Sequence, residues 1–185
     1  MLPVLLVMLL ARLAQNPGPR ITVVIHNPEA VPAAVLPRAQ TLAAHILSQA
    51  GIATEWRIAG PGDIAPRPDV IPLHLLSTRP VTLRRDANGY AILSGERSYA
   101  GVSWPAVQAA ADTLEIHEAT LLGAVMAHEL GHILLASPRH AANGIMVTRF
   151  GVREAQAVGR GELGFLKDEV RRMQAEAERR CAARR

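Results

Sequence analysis

The apolar positions change period along the chain, and each change marks an element. From Ile21 to His26 the pattern sets Ile, Val and Ile against Thr, Val and His, which predicts a strand with one buried face. Leu36 to Ala50 switches to a helical stripe of Leu36, Leu42, Ala43, Ile46 and Leu47, with Pro37 suited to a first turn and Gly51 to a stop. Thr54–Ile58 and Val70–Leu76 return to strand patterns around a Gly- and Pro-rich loop at 60–68, and Pro72 points its strand towards an edge or a bulge. Two more short strands are expected at Tyr90–Leu93 and Tyr99–Trp104, split by a Ser-Gly-Glu-Arg turn. His117–Ala136 is then helical, stopped by Ser137-Pro138, and a loop with short helical pieces leads to a final helix over Glu162–Arg180. That helix carries a packing stripe of Leu163, Leu166, Val170, Met173 and Ala177.

Ahead of these elements lies an apolar run, Leu2 to Leu10, closed by Arg12. A helix through Ala14 would span about 20 Å, short of the ~30 Å hydrocarbon core, so no full membrane span is expected. The run fits the apolar region of a secretory signal, although no Lys or Arg precedes it. Residues 1–19 are therefore read as a signal or apolar N-terminal segment with a Pro-Gly linker, and 20–185 as a single domain. Export to the periplasm or medium is expected, the alternative being an N-terminal helix packed on a cytoplasmic domain.

Composition narrows the classes. With 49% hydrophobic and 19% charged residues the chain is globular, and at 185 residues it can bury a sizeable core. Its net charge of +4 suggests a nucleic-acid partner only superficially. The densest basic cluster, Arg171, Arg172, Arg179, Arg180, Arg184 and Arg185, alternates with Glu169, Glu176 and Glu178 and reads as a solvated helical face. The lone Cys181 permits no internal disulfide and no thiolate cluster, so any zinc must rest on His and carboxylate.

The helix around "MAHELGHILLA" carries such ligands. His128 and His132 are four residues apart and project from one face, one turn apart, with Glu129 next round the helix. This HExxH spacing suits a zinc hydrolase: two neutral imidazoles hold the ion, and the carboxylate reaches a water on it. The alternative, histidines merely buried on an apolar helix, would strand two imidazoles and a carboxylate among Leu130, Gly131, Ile133 and Leu134. A third ligand is needed, and the turn after Ser137-Pro138 can bring His140 back beneath the metal. Gly144 then allows a tight turn, with Met146 as an apolar floor.

This stretch resembles the metzincin metalloproteases. In them a helical HExxH is followed by a glycine-centred turn, a third histidine and a methionine-containing turn beneath the zinc. His128, Glu129 and His132 match the core motif, His140 the third ligand, and Gly144-Ile145-Met146 the Met-turn. The family spaces its third histidine six positions after the second; here the interval is eight, and Leu135 stands where the family has glycine. Thr148 and Phe150 follow Met146, with no tyrosine. Over roughly residues 20–175 the chain also resembles small bacterial secreted metzincin-like proteins. The resemblance implies an α+β fold, a small mixed sheet packed on helices, with the HExxH helix at the floor of a cleft. It also implies one Zn²⁺ and a zinc-dependent endopeptidase acting on a peptide or protein through a zinc-bound water activated by Glu129. In it, an exposed strand, here Tyr99–Trp104, pairs with the extended substrate. Two other ligand sets stay open: a gluzincin-like glutamate (Glu154, Glu162 or Glu169) and an aspzincin-like Asp168. His26, His45, His74 and His117 are read as structural. The alternative function is a zinc-binding scaffold of the same fold without catalysis.

Overall fold

The structure, a computed structural model, describes residues 18–60 and 67–184. The apolar run of Leu2–Leu10 and most of the 60–68 loop lie outside them. Five strands form one sheet in the order β2-β1-β3-β5-β4. β1 (Arg20–His26), β2 (Ala53–Ile58), β3 (Val70–Leu76) and β5 (Tyr99–Ser103) are parallel, and β4 (Gly89–Ile92) runs antiparallel to β5 at the edge. The helices are α1 (Leu36–Gln49), α2 (Trp104–Leu114), α3 (Glu118–Leu134), α4 (Val152–Gly159) and α5 (Lys167–Ala182).

β1 lies between β2 and β3, and every residue from Ile21 to Ile25 is buried. The expected single buried face is therefore two, as suits an interior parallel strand. β3 is interior too, not an edge. A parallel strand turns alternate N–H groups to alternate neighbours, and the pairing of β3 with β5 starts only at Leu73, so Pro72 withholds no ladder bond on that side. β5 is likewise covered on both sides, by β3 and β4. The edge strand expected at Tyr99–Trp104 is thus β4 instead, because the turn at 94–97 folds β4 back onto β5. Trp104 begins α2, a helix the strand-like run from Tyr99 masks; Pro105 in its first turn and the alanines behind it are the signals.

Ile21, Val23, Ile25, Ile71, Leu73, Leu75, Ala100 and Val102 turn to the helices and form the core with α1 and α3. Every residue of α3 after Thr120 is buried, so its apolar surface runs all round, as befits a central helix. At Gly123 the backbone of α1 comes close: a methyl there would lie 2.7 Å from the Ala39 carbonyl oxygen. The α3 N-terminus is capped by His117, whose Nδ1 accepts from the Ala119 N–H at 3.1 Å. No helix among the described residues is long and apolar enough to cross a membrane.

The final helix starts at Lys167, five residues later than its sequence pattern suggests. Residues 162–166 are not helical, and Gly164 runs beneath the turn at 143–146, its carbonyl accepting from Ile145 N–H at 2.8 Å. The C-terminal basic cluster is not uniformly solvated. Arg180 is 2% exposed, pairs with Glu176 at 2.8 Å, and donates to the Pro68 and Gly95 carbonyls, tying α5 to the loops before β3 and β5.

Candidate metal centre

α3 delivers His128, Glu129 and His132 from its last two turns into the core of the protein, all three buried. The helix then closes in a Schellman turn. Ala136 N–H donates to Ile133 O and Ser137 N–H to His132 O, and Ala136 takes the left-handed conformation at φ +47°. This is where the family's glycine turn is replaced, one residue later than Leu135. The turn points the Ser137 carbonyl back at the helix, where it accepts from His132 Nδ1 at 2.8 Å. A second loop supports the other histidine. Gly144 (φ +80°) lets Ile145 and Met146 enter the core fully buried, and the Ile145 carbonyl accepts from His128 Nδ1 at 2.8 Å. Ala141 N–H donates to Met146 O at 2.7 Å, closing the loop that carries His140.

These bonds set the chemistry. A carbonyl only accepts, so each Nδ1 carries the proton and each Nε2 presents a lone pair. The two Nε2 atoms face one another at 3.1 Å. Burial, the first cause in each case, holds both rings neutral at pH 7: His128 is lowered to about 4, and His132 falls below its ordinary value. Two lone pairs at that distance repel unless a cation lies between them. Tetrahedral zinc with ligand bonds of ~2.0–2.1 Å separates its nitrogens by about 3.3 Å. His140 completes the group: ligand nitrogens of His128, His132 and His140 all lie within 4.8 Å of one another. It is the exposed member, lowered by burial and by the charge of Arg84. The donor set fits a divalent ion of borderline softness.

Glu129 lines the same cleft, of about 310 Å³, as the three histidines. Burial alone pushes its carboxyl up to about 8. The β4 backbone rests against it; a methyl on Gly89 would lie 2.8 Å from Glu129 Oε1. Gly131 is as constrained, since a methyl there would meet Met146 Sδ and the Phe165 ring at 2.7 Å. Phe150 stands edge-on to His128, ring centroids 5.9 Å apart.

The rival carboxylates are engaged elsewhere. Glu154 caps α4 through Gly151 N–H at 3.0 Å, and Glu169 caps α5 through Leu166 N–H at 2.8 Å. Glu162 pairs with Arg160, and Asp168 with Arg171. His26 and His74 stack on each other at 4.5 Å on neighbouring strands, and His45 contacts Gln49. Sequence reasoning missed Gly89, at the start of β4, and Arg84, Asp86 and Arg149, which line the cleft from loops. The only linear trace of this wall is the Arg84-x-Asp86 pair just ahead of Asn88-Gly89.

A five-stranded mixed sheet, with a buried HExxH helix against its edge strand, is a metzincin-like α+β fold. The crystal structure of archaemetzincin from Methanopyrus kandleri has a similar fold, with a TM-score of 0.50 at 14% identity over 89% of this chain and 98% of that one. No model of a known protein family matches the sequence, and no curated protein matches it significantly.

Proposed function

We propose that this protein is a zinc-dependent endopeptidase in which His128, His132 and His140 hold the ion and Glu129 is the general base. The observation that carries the reading is the convergence of two Nε2 lone pairs at 3.1 Å, each fixed by a backbone carbonyl behind its ring, beside a buried carboxylate. A zinc ion held there would acidify a water and polarise the scissile carbonyl. Glu129 takes the proton from the attacking water and hands it to the leaving amine. Its raised carboxyl suits both halves of that task, because the positive charge of an ion would bring it back towards ionisation. Gly89 of the edge strand β4 packs against this carboxylate, so an extended peptide adding to the free edge of β4 would run close to Glu129. A scaffold needs the histidines but not a carboxylate aimed into the cleft, which favours the enzyme.

Metal analysis tests the ligand set. Protein purified without added metal should carry about one equivalent of zinc, and His140→Ala should weaken its retention strongly. If His140→Ala holds zinc as the wild type does, while Glu154→Ala or Glu162→Ala does not, the three-histidine assignment is wrong. We also propose export, on the strength of the Leu2–Leu10 run. N-terminal sequencing of native material should find a start between Ala14 and Arg20, and an intact Met1 in the cytoplasm would oppose it.

A further inference from the structure

The cleft wall opposite the helix carries an unmatched positive charge. Apart from the histidines, four charged residues among those described line the cleft: Arg84, Asp86, Glu129 and Arg149. Glu129 is buried at the floor. Asp86 is taken by Arg84 through two hydrogen bonds, Nε to Oδ1 at 3.2 Å and Nη2 to Oδ2 at 2.9 Å. The charge of Arg149 also bears on Asp86, yet Arg149 makes no ion pair or hydrogen bond among the described residues. One carboxylate therefore faces two guanidiniums.

The backbone carrying each arginine is anchored beside the three histidines. Arg84 and His140 line the same cleft. The Arg84 loop is fixed by Arg79, whose guanidinium donates to the Arg84 and Ala87 carbonyls, and by a turn from Ala87 N–H to Arg84 O at 3.0 Å. Arg149 follows Met146 by three residues, and Val147 between them is buried. The charge is thus presented from anchored backbone rather than from a loose tail.

We infer that the cleft selects peptides bringing a carboxylate close to the scissile bond, held by Arg149 with a share of Arg84. The carboxylate is an Asp or Glu side chain of the peptide. The inference rests on the endopeptidase reading for its substrate but not for its binding site. A guanidinium–carboxylate contact is charge-assisted, and Arg offers it two parallel donors. Both arginines are solvent-exposed, so screening reduces the gain, and about a tenfold preference is expected.

The test uses matched peptides differing only by Glu or Gln, with the position scanned and the C-terminus either free or amidated. The ratio of kcat/KM for Glu over Gln is read for wild type, Arg84→Gln and Arg149→Gln. Separately, fluorescence anisotropy reads binding of the labelled Glu and Gln peptides to zinc-loaded Glu129→Gln at low and high salt. The expected result is a ratio of about ten that falls towards one in Arg149→Gln, with a binding preference that high salt erases. The preference should persist in amidated peptides, and cleavage that requires a free C-terminus overturns the side-chain assignment. A ratio near one in wild type, or one unchanged by both substitutions, overturns the inference and leaves the endopeptidase reading intact. Preferential binding that both arginine substitutions abolish, without cleavage of any peptide by wild type, keeps the inference and overturns that reading.

Discussion

Ala136→Gly is expected to stabilise the protein. Ala136 occupies the left-handed position of the turn that ends α3, at φ +47°, and is exposed, so no packing is lost with its methyl. Holding a non-glycine residue there costs about 1–2 kcal/mol. Glycine removes that cost but gives up about 0.5–1 kcal/mol of chain entropy on folding. The net gain is about 0.5–1 kcal/mol, or about 2 °C in Tm for a domain of this size. Urea unfolding reads it directly, as a higher midpoint at unchanged slope. Ala136→Val should do the reverse by more than about 1 kcal/mol, because a β-branched side chain tolerates positive φ poorly. The turn also aims Ser137 O at His132, so zinc retention should hold in Ala136→Gly. A glycine variant less stable than wild type, or a neutral valine variant, would refute a left-handed residue at this position.

Three further outcomes follow from the packing and charge around the site. Gly89→Ala places a methyl within 2.9 Å of Glu129 and 2.7 Å of Gly101 O; it should cost about 1–3 kcal/mol and lower kcat at least about tenfold while zinc content, read by elemental analysis, is kept. In zinc-free protein Glu129 is raised to about 8 from 4.5, so the stability tied to its protonated form is complete below about pH 4.5 and lost as pH rises through 8. The opposing contribution of His128, lowered to about 4 from 6.5, is essentially complete above pH 7. Between pH 7 and 8 the zinc-free wild type should therefore lose about 1 kcal/mol in denaturant titrations, and Glu129→Gln should stay flat. Arg180→Met should cost about 1–3 kcal/mol by removing the donor of the Pro68 and Gly95 carbonyls, Glu176 keeping Arg179 as its partner, whereas Arg171→Met, on an exposed pair, should shift the unfolding midpoint hardly at all.

The sequence displays the elements whose periodicity is uniform and hides those that depend on neighbours. α1, β1 and α3 are legible because their apolar spacing is regular and their ends carry Pro37, Gly51 and Ser137-Pro138. Strand order is not legible from period alone. Nothing in Tyr99–Ser103 says that β4 will cover its outer edge, and Pro72 reads as an edge signal because a sequence cannot show where the pairing with β5 begins. At the site, His128, Glu129 and His132 stand out because helical spacing is local. His140 required guessing a turn eight residues long, and its closing contacts, Ala141 to Met146 and Ile145 to Gly164, are set by packing. Arg84 and Arg149 come from loops 65 residues apart in number and share no pattern, so only the fold brings them to one cleft.

Cleavage by Glu129→Gln tests the central reading most directly. The variant keeps the size of the side chain and all three histidines, so it should fold and hold zinc as the wild type does. It cannot accept the proton, and its cleavage of an unstructured protein or a peptide library should fall about 10²–10⁴-fold. A chelator should abolish wild-type cleavage and zinc restore it. A zinc-loaded Glu129→Gln that cleaves as fast as the wild type would contradict Glu129 as the base, and with it the mechanism proposed for this site.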